Sequence, residues 1–442
     1  MNITTIDNNR EMSINTKKCD NFTRFKMTYI TDDEVALIVR NYFPKENARI
    51  QKYFIDFASK NMLGFLCDYL KLSIYVNINN NRNEKRVINC FVKSISKSNE
   101  AKATMVKELQ LFDKELRFYT IIKEKIHISG IKPWSPKFIV GLKEAMVFEN
   151  LNSLGYKMHD KLISFDKAHT LQALRTLARF HASTIIYEET KSKDLNRLYS
   201  INEEYEDYLD KGGYLITDPW YAQCMHGALE VIKSHSKYSK NKDIIHICEE
   251  KWSDIWRAAL NLSDFSTKYR NVICHRDLWN NNMLFHYARV GKDAPDDCLL
   301  VDFQAVRCHP PAGDIMLLFY CNLEPTFREE NMNMFLNYYY SELDTLLKQH
   351  DIAIDSVITS EELYKTAEEY RLWGLIVSAC LLPQCWINDE LTTKIFTDSA
   401  QFNDILSKDK TSFIRKMIDE NDSYASKVLG IFEEIVSQYV LL

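Results

Sequence analysis

Two short segments in the middle of the chain constrain its fold more than any other feature. The first, VICHRDLWNNNMLF, runs from Val272 to Phe285, and the second, LLVDFQ, runs from Leu299 to Gln304. Each begins with a short apolar run typical of a buried strand and then reaches polar side chains. The sequence therefore predicts a polar loop held between buried strands, close to a second strand that ends in a carboxylate.

The polar residues of these segments stand at a spacing that suits one chemistry. Asn282 follows Asp277 by five residues, and Asp302 follows Asp277 by twenty-five. In phosphoryl transfer one carboxylate meets the attacking hydroxyl, while an asparagine and a second carboxylate hold Mg²⁺ on a nucleotide. The spacing predicts Asp277 as the catalytic base, with Asn282 and Asp302 as metal ligands. Polar turn residues after strands, without chemistry, are the alternative interpretation.

Three neighbouring residues are interpreted as structural. His275 is expected to hydrogen-bond the loop backbone and to pack near Phe303, and Trp279 to anchor the loop in the core. Asp314, in the run Pro-Ala-Gly-Asp, is expected to cap a helix rather than to contact substrate.

A lysine and a glutamate earlier in the chain are ambiguous when taken singly. Phe91, Lys93 and Ile95 share one face of a predicted strand, and a lysine between apolar neighbours is costly unless it meets an anion. Glu115 borders the apolar face of a helix predicted over Glu100–Lys123. Taken separately, Lys93 could be an edge-strand lysine that reaches water, and Glu115 could be an acid at the margin of the apolar face. Together, the two side chains could satisfy one another.

The pattern of elements predicts an α+β protein with two lobes. Thr31-Asp-Asp-Glu34 is a capping box that opens a helix ending near Tyr42. Strand patterns flank the Asn-rich turn Asn77–Glu84, and a second hairpin is predicted over 137–149. The later chain is mostly helical. We therefore predict a flexible tail over 1–25, a small antiparallel-sheet lobe over 26–148 and a larger helical lobe over 149–442.

Composition narrows the class of protein. The chain has 442 residues, is 46% hydrophobic and 26% charged, and has a net charge of −5, which argues against a nucleic-acid partner. Its 11 cysteines form no CxxC pair, which favours free thiols in a reducing compartment. The polar N-terminus lacks the apolar core of a signal peptide, and no apolar run is long enough to span a bilayer. These features predict a soluble, cytoplasmic protein, with no protein partner implied.

The central segments resemble a known family. HRDLWNNNMLF followed by VDFQAVRCHPPAGDI is similar to the ecdysteroid kinase-like family, a branch of the choline-kinase-like and aminoglycoside-phosphotransferase-like enzymes. The resemblance extends to FVK ending at Lys93, to FDKELRFY around Glu115, to FENLNSLGY from Phe148 and to LARFHA ending at Ala182. It covers about residues 30 to 400 and implies a bilobal protein-kinase-like fold.

The resemblance also implies roles for residues outside the central segments. Lys93 would contact the α- and β-phosphates of ATP and pair with Glu115. Glu149 and Leu151 would bind adenine through their backbone groups. The three residues of the central segments would keep the roles that their spacing predicts, with ATP and Mg²⁺ as cofactors.

Three departures from the family pattern are visible. Arg276 replaces the usual glycine of the His-Gly-Asp motif, and the expected phosphate loop, Lys60–Asp68, contains a single glycine, Gly64. Cys308-His309-Pro-Pro is a local variation. A eukaryotic protein kinase is rejected because Asp-Phe-Gln replaces Asp-Phe-Gly and no Ala-Pro-Glu follows.

We therefore expect a kinase that phosphorylates a hydroxyl of a small molecule, with an ecdysteroid or a related steroid or xenobiotic alcohol as the family-implied acceptor. A choline- or ethanolamine-type kinase remains open, because Glu368, Glu369, Tyr370 and Trp373 could line a cation pocket. A nucleotide-binding scaffold without turnover is the third alternative.

Overall fold

The computed structural model describes residues 29–79, 85–209, 216–288 and 294–441. The predicted tail over 1–25 and the greater part of the Asn-rich turn at 77–84 lie outside the described residues.

The chain divides into two compact units. The first contains the described residues up to Ala58, together with Tyr69–Ser94 and Phe138–Asn150. The second contains Ser59–Asp68, Ile95–Lys137 and the described chain from Leu151 onward. The chain thus passes from the first unit to the second between Asn150 and Leu151. The lobe boundary between residues 148 and 149 stays a prediction.

The first unit is built on a five-stranded sheet with the order β1-β2-β3-β5-β4. The pairs β1–β2, β3–β5 and β4–β5 are antiparallel. The strands are β1 (Ala48–Phe57), β2 (Cys67–Ile78), β3 (Lys85–Ile95), β4 (Phe138–Gly141) and β5 (Ala145–Glu149), and the helix α1 (Asp32–Tyr42) precedes them. Both predicted hairpins are confirmed as neighbouring strands.

One face of this sheet is apolar and buried. In β2, alternate residues from Leu70 to Ile78 are fully buried, as the period of two requires. Val35 and Ile38 of α1 belong to the same core. The predicted capping box is confirmed, since Glu34 N donates to Thr31 Oγ1 at 3.3 Å and Thr31 N donates to Glu34 Oε2 at 2.8 Å.

The second unit is mainly helical and carries two small antiparallel sheets, with the orders β6-β8-β9 and β10-β7. The strands are β6 (Tyr156–Met158), β7 (Val272–Cys274), β8 (Met283–His286), β9 (Asp297–Leu300) and β10 (Arg307–His309). The helices are α2 (Glu100–Glu108), α3 (Leu111–Arg117), α4 (Lys123–Lys125), α5 (Lys167–Leu195), α6 (Ile201–Leu209), α7 (Pro219–His235), α8 (Lys242–Asn261), α9 (Ala312–Asn322), α10 (Pro325–Lys348), α11 (Ser360–Glu369), α12 (Arg371–Cys385), α13 (Asp389–Phe396), α14 (Ser399–Ser407), α15 (Lys410–Glu420) and α16 (Asp422–Ile435). The predicted α+β class is confirmed. None of the described helices combines the length and the apolar character needed to cross a bilayer.

The prediction of a single helix over Glu100–Lys123 is wrong. The helix is interrupted at Gln110, whose φ of +53° lies in the left-handed region and ends the α-helical path. A π-helical turn over Phe118–Ile122 then separates α3 from α4. A π turn inserts one extra residue, and here the adjacent side chains of Phe118 and Tyr119 are both buried.

The packing of α9 against α12 depends on one glycine. A Cβ at Gly374 would lie 2.7 Å from the backbone oxygen of Met316 and 2.8 Å from the ring of Tyr320. We expect Gly374→Ala to lower the free energy of unfolding by about 1–3 kcal/mol, because the helices must separate and overpacking outweighs the gain in helix propensity. Urea denaturation measures this change.

Gly430 provides the matched control. It lies inside α16, and a Cβ there meets no atom within 4 Å. Gly430→Ala should therefore stabilise the protein by up to about 1 kcal/mol through helix propensity alone. Equal effects of the two substitutions would contradict the packing argument.

Candidate active site

The loop after β7 brings Asp277 and Asn282 into direct contact. The Asn282 side-chain nitrogen donates to the Asp277 carboxylate at 2.9 Å and to the Asp277 backbone oxygen at 2.8 Å. Both residues are buried. Because the amide nitrogen is committed to Asp277, the amide oxygen is the Asn282 atom suited to a metal.

Asp302 lies beside Asn282 through strand pairing. Strands β8 and β9 are antiparallel, with Met283 opposite Leu300. One residue further on, Val301 N donates to Asn282 O at 3.0 Å. Asp302 follows with a φ of +70°, a conformation that aspartate adopts more readily than most residues. The structure thus brings the two predicted metal ligands to adjacent points of the backbone.

Glu115 also reaches this part of the second unit. Its carboxylate accepts a hydrogen bond from Phe303 N at 3.2 Å, and Glu115 is 1% exposed. The ring of Phe303 stacks on that of Phe118, with centroids 4.6 Å apart. Glu115 is therefore fixed next to Asp302 by the backbone that follows it, and the π-helical turn supplies the aromatic contact.

Lys93 and Glu149 belong to the first unit. Lys93 is 4% exposed and lies opposite Met146 in the β3–β5 pair, where Glu149 lies opposite Cys90. Residue alternation puts Lys93 on the sheet face opposite to the apolar core. Its pairing with Glu115 would join the two units and stays a prediction, as do the adenine contacts of Glu149 and Leu151.

His275 links the two central segments, and its predicted structural role is confirmed. Its Nε2 hydrogen-bonds Val301 O at 2.9 Å, and its ring lies 4.7 Å from that of Phe303. Its Nδ1 accepts from Asp277 N at 3.3 Å. These contacts define a neutral imidazole with the proton on Nε2, which holds Asp277 in place.

Asp314 does not cap a helix, and that expectation is wrong. Helix α9 has no side-chain cap at its N-terminus. The Asp314 carboxylate instead accepts from the backbone N–H of His275 at 2.6 Å and of Arg276 at 2.8 Å. Its third partner is His181 Nε2 at 3.2 Å, and His181 is fully buried. Asp314 therefore fixes the backbone of the loop that contains Asp277.

The electrostatic balance at Asp314 favours its charged form. Burial alone would raise the pKa of this fully buried carboxyl. The hydrogen bond from His181 and the nearby histidines act more strongly and bring the pKa below its ordinary value.

The backbone explains why glycine suits the position of Arg276. Arg276 has a φ of +66°, in the left-handed region where glycine is unstrained. Here the arginine is fully buried, and its guanidinium lies 5.2 Å from the ring of Trp373. The side chain thus packs into the core, in place of the usual glycine.

A small cavity of about 10 Å³, room for one water molecule, lies beside the loop that contains Asp277, and the sequence analysis did not predict it. It is lined by Lys161, Ile163, Trp279, Asn280, Cys321, Asn322, Leu382, Cys385 and Trp386. Trp279 and Asn280 of this lining follow Asp277 by two and three residues in the same loop. Burial and then the charge of Asp277 raise the pKa of the Cys385 thiol. The lining residues come from four separated parts of the chain. Of these, only Trp279 and Asn280 lie in the central segments that the sequence analysis singled out.

The acidic residues suggested for a cation pocket lie elsewhere. Glu368 pairs with Arg371 at 2.6 Å, and Glu369 accepts from Tyr269 at 2.7 Å. Neither lines the cavity, whose lining among the described residues includes the ammonium of Lys161 and no carboxylate.

The oxygens gathered here suit a magnesium nucleotide. An amide oxygen and a carboxylate at adjacent backbone positions are ligands that Mg²⁺ accepts, and the histidines and thiols that zinc prefers do not form this pair. A second carboxylate, Asp277, stands within hydrogen-bond reach of the amide. This grouping is of the kind that phosphotransferases use.

Comparison with known protein families agrees with the site. Residues 65–352, more than half of the chain, match the ecdysteroid kinase-like family. The chain therefore belongs to the ecdysteroid kinase-like family, a family of small-molecule kinases. None of the curated proteins matches the chain.

Several solved structures are similar to this chain at low identity. A Plasmodium vivax ethanolamine kinase is 12% identical, with 87% of this chain and 85% of that chain covered and a TM-score of 0.43. A choline kinase from Cryptosporidium parvum is 12% identical, with 93% and 98% covered and a TM-score of 0.40. An ADP-bound aminoglycoside phosphotransferase is 13% identical, with 84% and 99% covered and a TM-score of 0.35.

Proposed function

We propose that this protein uses ATP and Mg²⁺ to phosphorylate a hydroxyl of a small molecule, an ecdysteroid or a related steroid or xenobiotic alcohol. The observation that carries the proposal is the hydrogen bond between Asn282 and Asp277, together with the Asn282–Val301 backbone bond that brings Asp302 alongside. These contacts support the assignment of Asp277 as the base and of Asn282 and Asp302 as the metal ligands.

The proposed roles rest on these contacts and on the family resemblance. Asp277 orients the acceptor hydroxyl and takes its proton as the oxygen attacks the γ-phosphorus, and ADP leaves. The Asn282 amide oxygen and the Asp302 carboxylate would hold Mg²⁺, which would neutralise negative charge on the phosphates. Glu115 restrains the backbone after Asp302. Lys93 would bind phosphate, and Glu149 and Leu151 would bind adenine through their backbones.

The residues around the small cavity next to the loop that contains Asp277 are mainly apolar. Two tryptophans, two cysteines, a leucine and an isoleucine form most of its lining. Lys161, 8% exposed, forms an ion pair there with Asp389 Oδ1 at 2.7 Å. Apolar residues beside the loop support an acceptor with an apolar skeleton.

The test is phosphate transfer from ATP by the purified full-length protein. The acceptors are a panel of steroid alcohols, choline, ethanolamine and sugar alcohols, and the products are detected by mass spectrometry. We expect transfer to a steroid alcohol that depends on Mg²⁺. No transfer to any member of the panel would contradict the proposal and favour a nucleotide-binding scaffold, and a preference for choline would favour the choline-type alternative.

Asp302→Asn separates the metal role from the base. We expect this variant to lose at least about tenfold in affinity for ADP in the presence of Mg²⁺, because a charged ligand becomes neutral. Affinity for ADP without metal should change little. Calorimetry measures both values, and an unchanged effect of Mg²⁺ on ADP affinity would contradict the assignment.

A further inference from the structure

The backbone on both sides of Asp277 is held in place by side chains. Residues 275–278 lie outside the helices and strands, so their N–H and C=O groups need partners from other parts of the chain. Before Asp277, two backbone N–H groups donate to the Asp314 carboxylate at 2.6 and 2.8 Å. After it, the Asn282 amide nitrogen donates to the Asp277 backbone oxygen at 2.8 Å. The orientation of the Asp277 side chain therefore depends on a few bonds from single residues.

Asn322 makes the next bond along this loop. Its side-chain nitrogen donates to Leu278 O at 2.8 Å and to Leu318 O, four residues earlier in the same helix, also at 2.8 Å. The reverse orientation of the amide would place its oxygen against both of these carbonyl oxygens, so the nitrogen is the atom that faces them. Two asparagines, Asn282 and Asn322, thus hold the two consecutive backbone oxygens that begin with that of Asp277.

Asn322 is itself firmly held. It is the last residue of α9, a helix whose residues are all buried, and it is 3% exposed. Its backbone oxygen accepts from Phe165 N at 2.8 Å. The same helix carries Asp314 in its first turn, so α9 supports the loop both before and after Asp277. A rigid donor therefore acts on the loop at the residue that follows the carboxylate.

We propose that Asn322 is a positioning residue for Asp277. This inference rests on the proposed function, in which Asp277 is the base. By holding Leu278 O, Asn322 fixes the peptide group that follows Leu278 and limits rotation of the backbone that carries the carboxylate. The carboxylate then stays aligned with the acceptor hydroxyl, and misplacing a catalytic group by about 1 Å can lower a rate about 100-fold.

A purely structural role makes a different prediction. Leu278 is fully buried, so its oxygen needs a donor for stability alone. Loss of such a donor would lower the free energy of unfolding without changing the chemistry of the folded protein. Within the described chain, the side chain of Asn322 bonds neither Asn282 nor Asp302, so nucleotide binding should not depend on it. A positioning role therefore predicts a lower kcat at unchanged nucleotide affinity.

Asn322→Ser tests the inference in the full-length protein, with the acceptor that the wild type uses. A serine hydroxyl has one O–H group, and in a helix that group donates to the oxygen four residues earlier. The bond to Leu318 O is thus kept, and the bond to Leu278 O is lost. We expect kcat for phosphate transfer to fall about 10- to 100-fold. The KM for ATP and the affinity for ADP with Mg²⁺ should stay within about threefold of wild type, because the effect is confined to the chemical step.

Asn331→Ser is the matched control. Asn331 lies in α10, and its side-chain nitrogen also donates to the backbone oxygen four residues earlier, that of Phe327, at 2.9 Å. Within the described chain it makes no bond to the loop that contains Asp277. This variant should keep the wild-type kcat. Asn322→Ala is the second variant, for use if the serine form does not fold, because a water molecule can then reach Leu278 O.

Crystal structures of the wild type and of Asn322→Ser give a readout that does not depend on activity. In the wild type, the Asn282 amide nitrogen lies 2.9 Å from the Asp277 carboxylate. We expect this distance to exceed about 3.5 Å in the variant, beyond the range of a hydrogen bond, because the backbone that carries the carboxylate is no longer held.

Three outcomes would overturn the inference: a kcat within about threefold of wild type, equal losses of kcat and of ADP affinity, or an unchanged bond between Asn282 and Asp277 in the variant. Phosphate transfer by the wild type is scored separately. A wild type that transfers phosphate to no acceptor, with the bond lost in Asn322→Ser, would contradict the proposed function alone. Transfer that depends on Asp277 and survives Asn322→Ser unchanged would contradict this inference alone.

Discussion

Asp277→Asn is expected to lower the rate of phosphate transfer by about a thousandfold. The variant keeps the shape of the side chain and an oxygen that can accept from the Asn282 amide. In the wild type this amide lies 2.9 Å from the Asp277 carboxylate. It removes the base that takes the hydroxyl proton, and general base catalysis typically contributes about 10²–10⁴-fold. The rate is measured as product formed at saturating ATP with whichever acceptor the wild type uses.

Two controls make this result specific. Affinity for ADP with Mg²⁺ should stay within about threefold of wild type, because the two predicted metal ligands are intact. Asp254→Asn, at an exposed position beside Arg257 on α8, should keep full activity. A rate above about a tenth of wild type in Asp277→Asn would mean that Asp277 is not the base.

Asp314→Ala is expected to have the largest effect on stability. The substitution leaves the N–H groups of His275 and Arg276 and the imidazole of His181 without their buried acceptor. Each unsatisfied buried group costs about 1–3 kcal/mol, so we expect a loss of about 3–5 kcal/mol in the free energy of unfolding. Urea denaturation measures it, with Asp355→Asn on the exposed surface as a control near zero.

The effect of Asp314 should depend on pH in a defined direction. Its folded-state pKa lies below the ordinary value of 3.8. The carboxylate therefore contributes its full stabilisation above about pH 4, and this contribution is lost as the pH falls through the folded-state pKa.

Asp314→Asn is the variant for this measurement because it keeps the shape of the side chain. The stability difference between wild type and Asp314→Asn should be constant near neutral pH and should shrink below about pH 4. A difference that grows on acidification would contradict the sign of the shift.

Several site residues could be found from the sequence because their signals are local. Asp277 and Asn282 lie five residues apart in one loop, and Asp302 ends a short apolar run. Strand pairing between β8 and β9 then places Asn282 beside Val301, as such closely spaced strands allow. The capping box at Thr31 and the hairpin strands were predictable for the same reason.

Other features depend on contacts between distant segments. Periodicity over Glu100–Lys123 could not reveal the break at Gln110. The apolar spacing continues across this residue, although its backbone adopts the left-handed conformation. The position of Asp314 in the first turn of α9 suggested a cap, but its partners lie in a loop nearly forty residues earlier. Residue spacing carries no information about such a pairing.

The sequence by itself determined the α+β class, the family and the polar residues of the central loop, because those depend on short-range patterns of apolar and polar side chains. Only the tertiary structure decided what Asp314 binds and which residues surround the cavity beside Asp277. Lys161, Asn280, Asn322 and Trp386 come from separate parts of the chain, and they surround one space only because helices and loops pack together there.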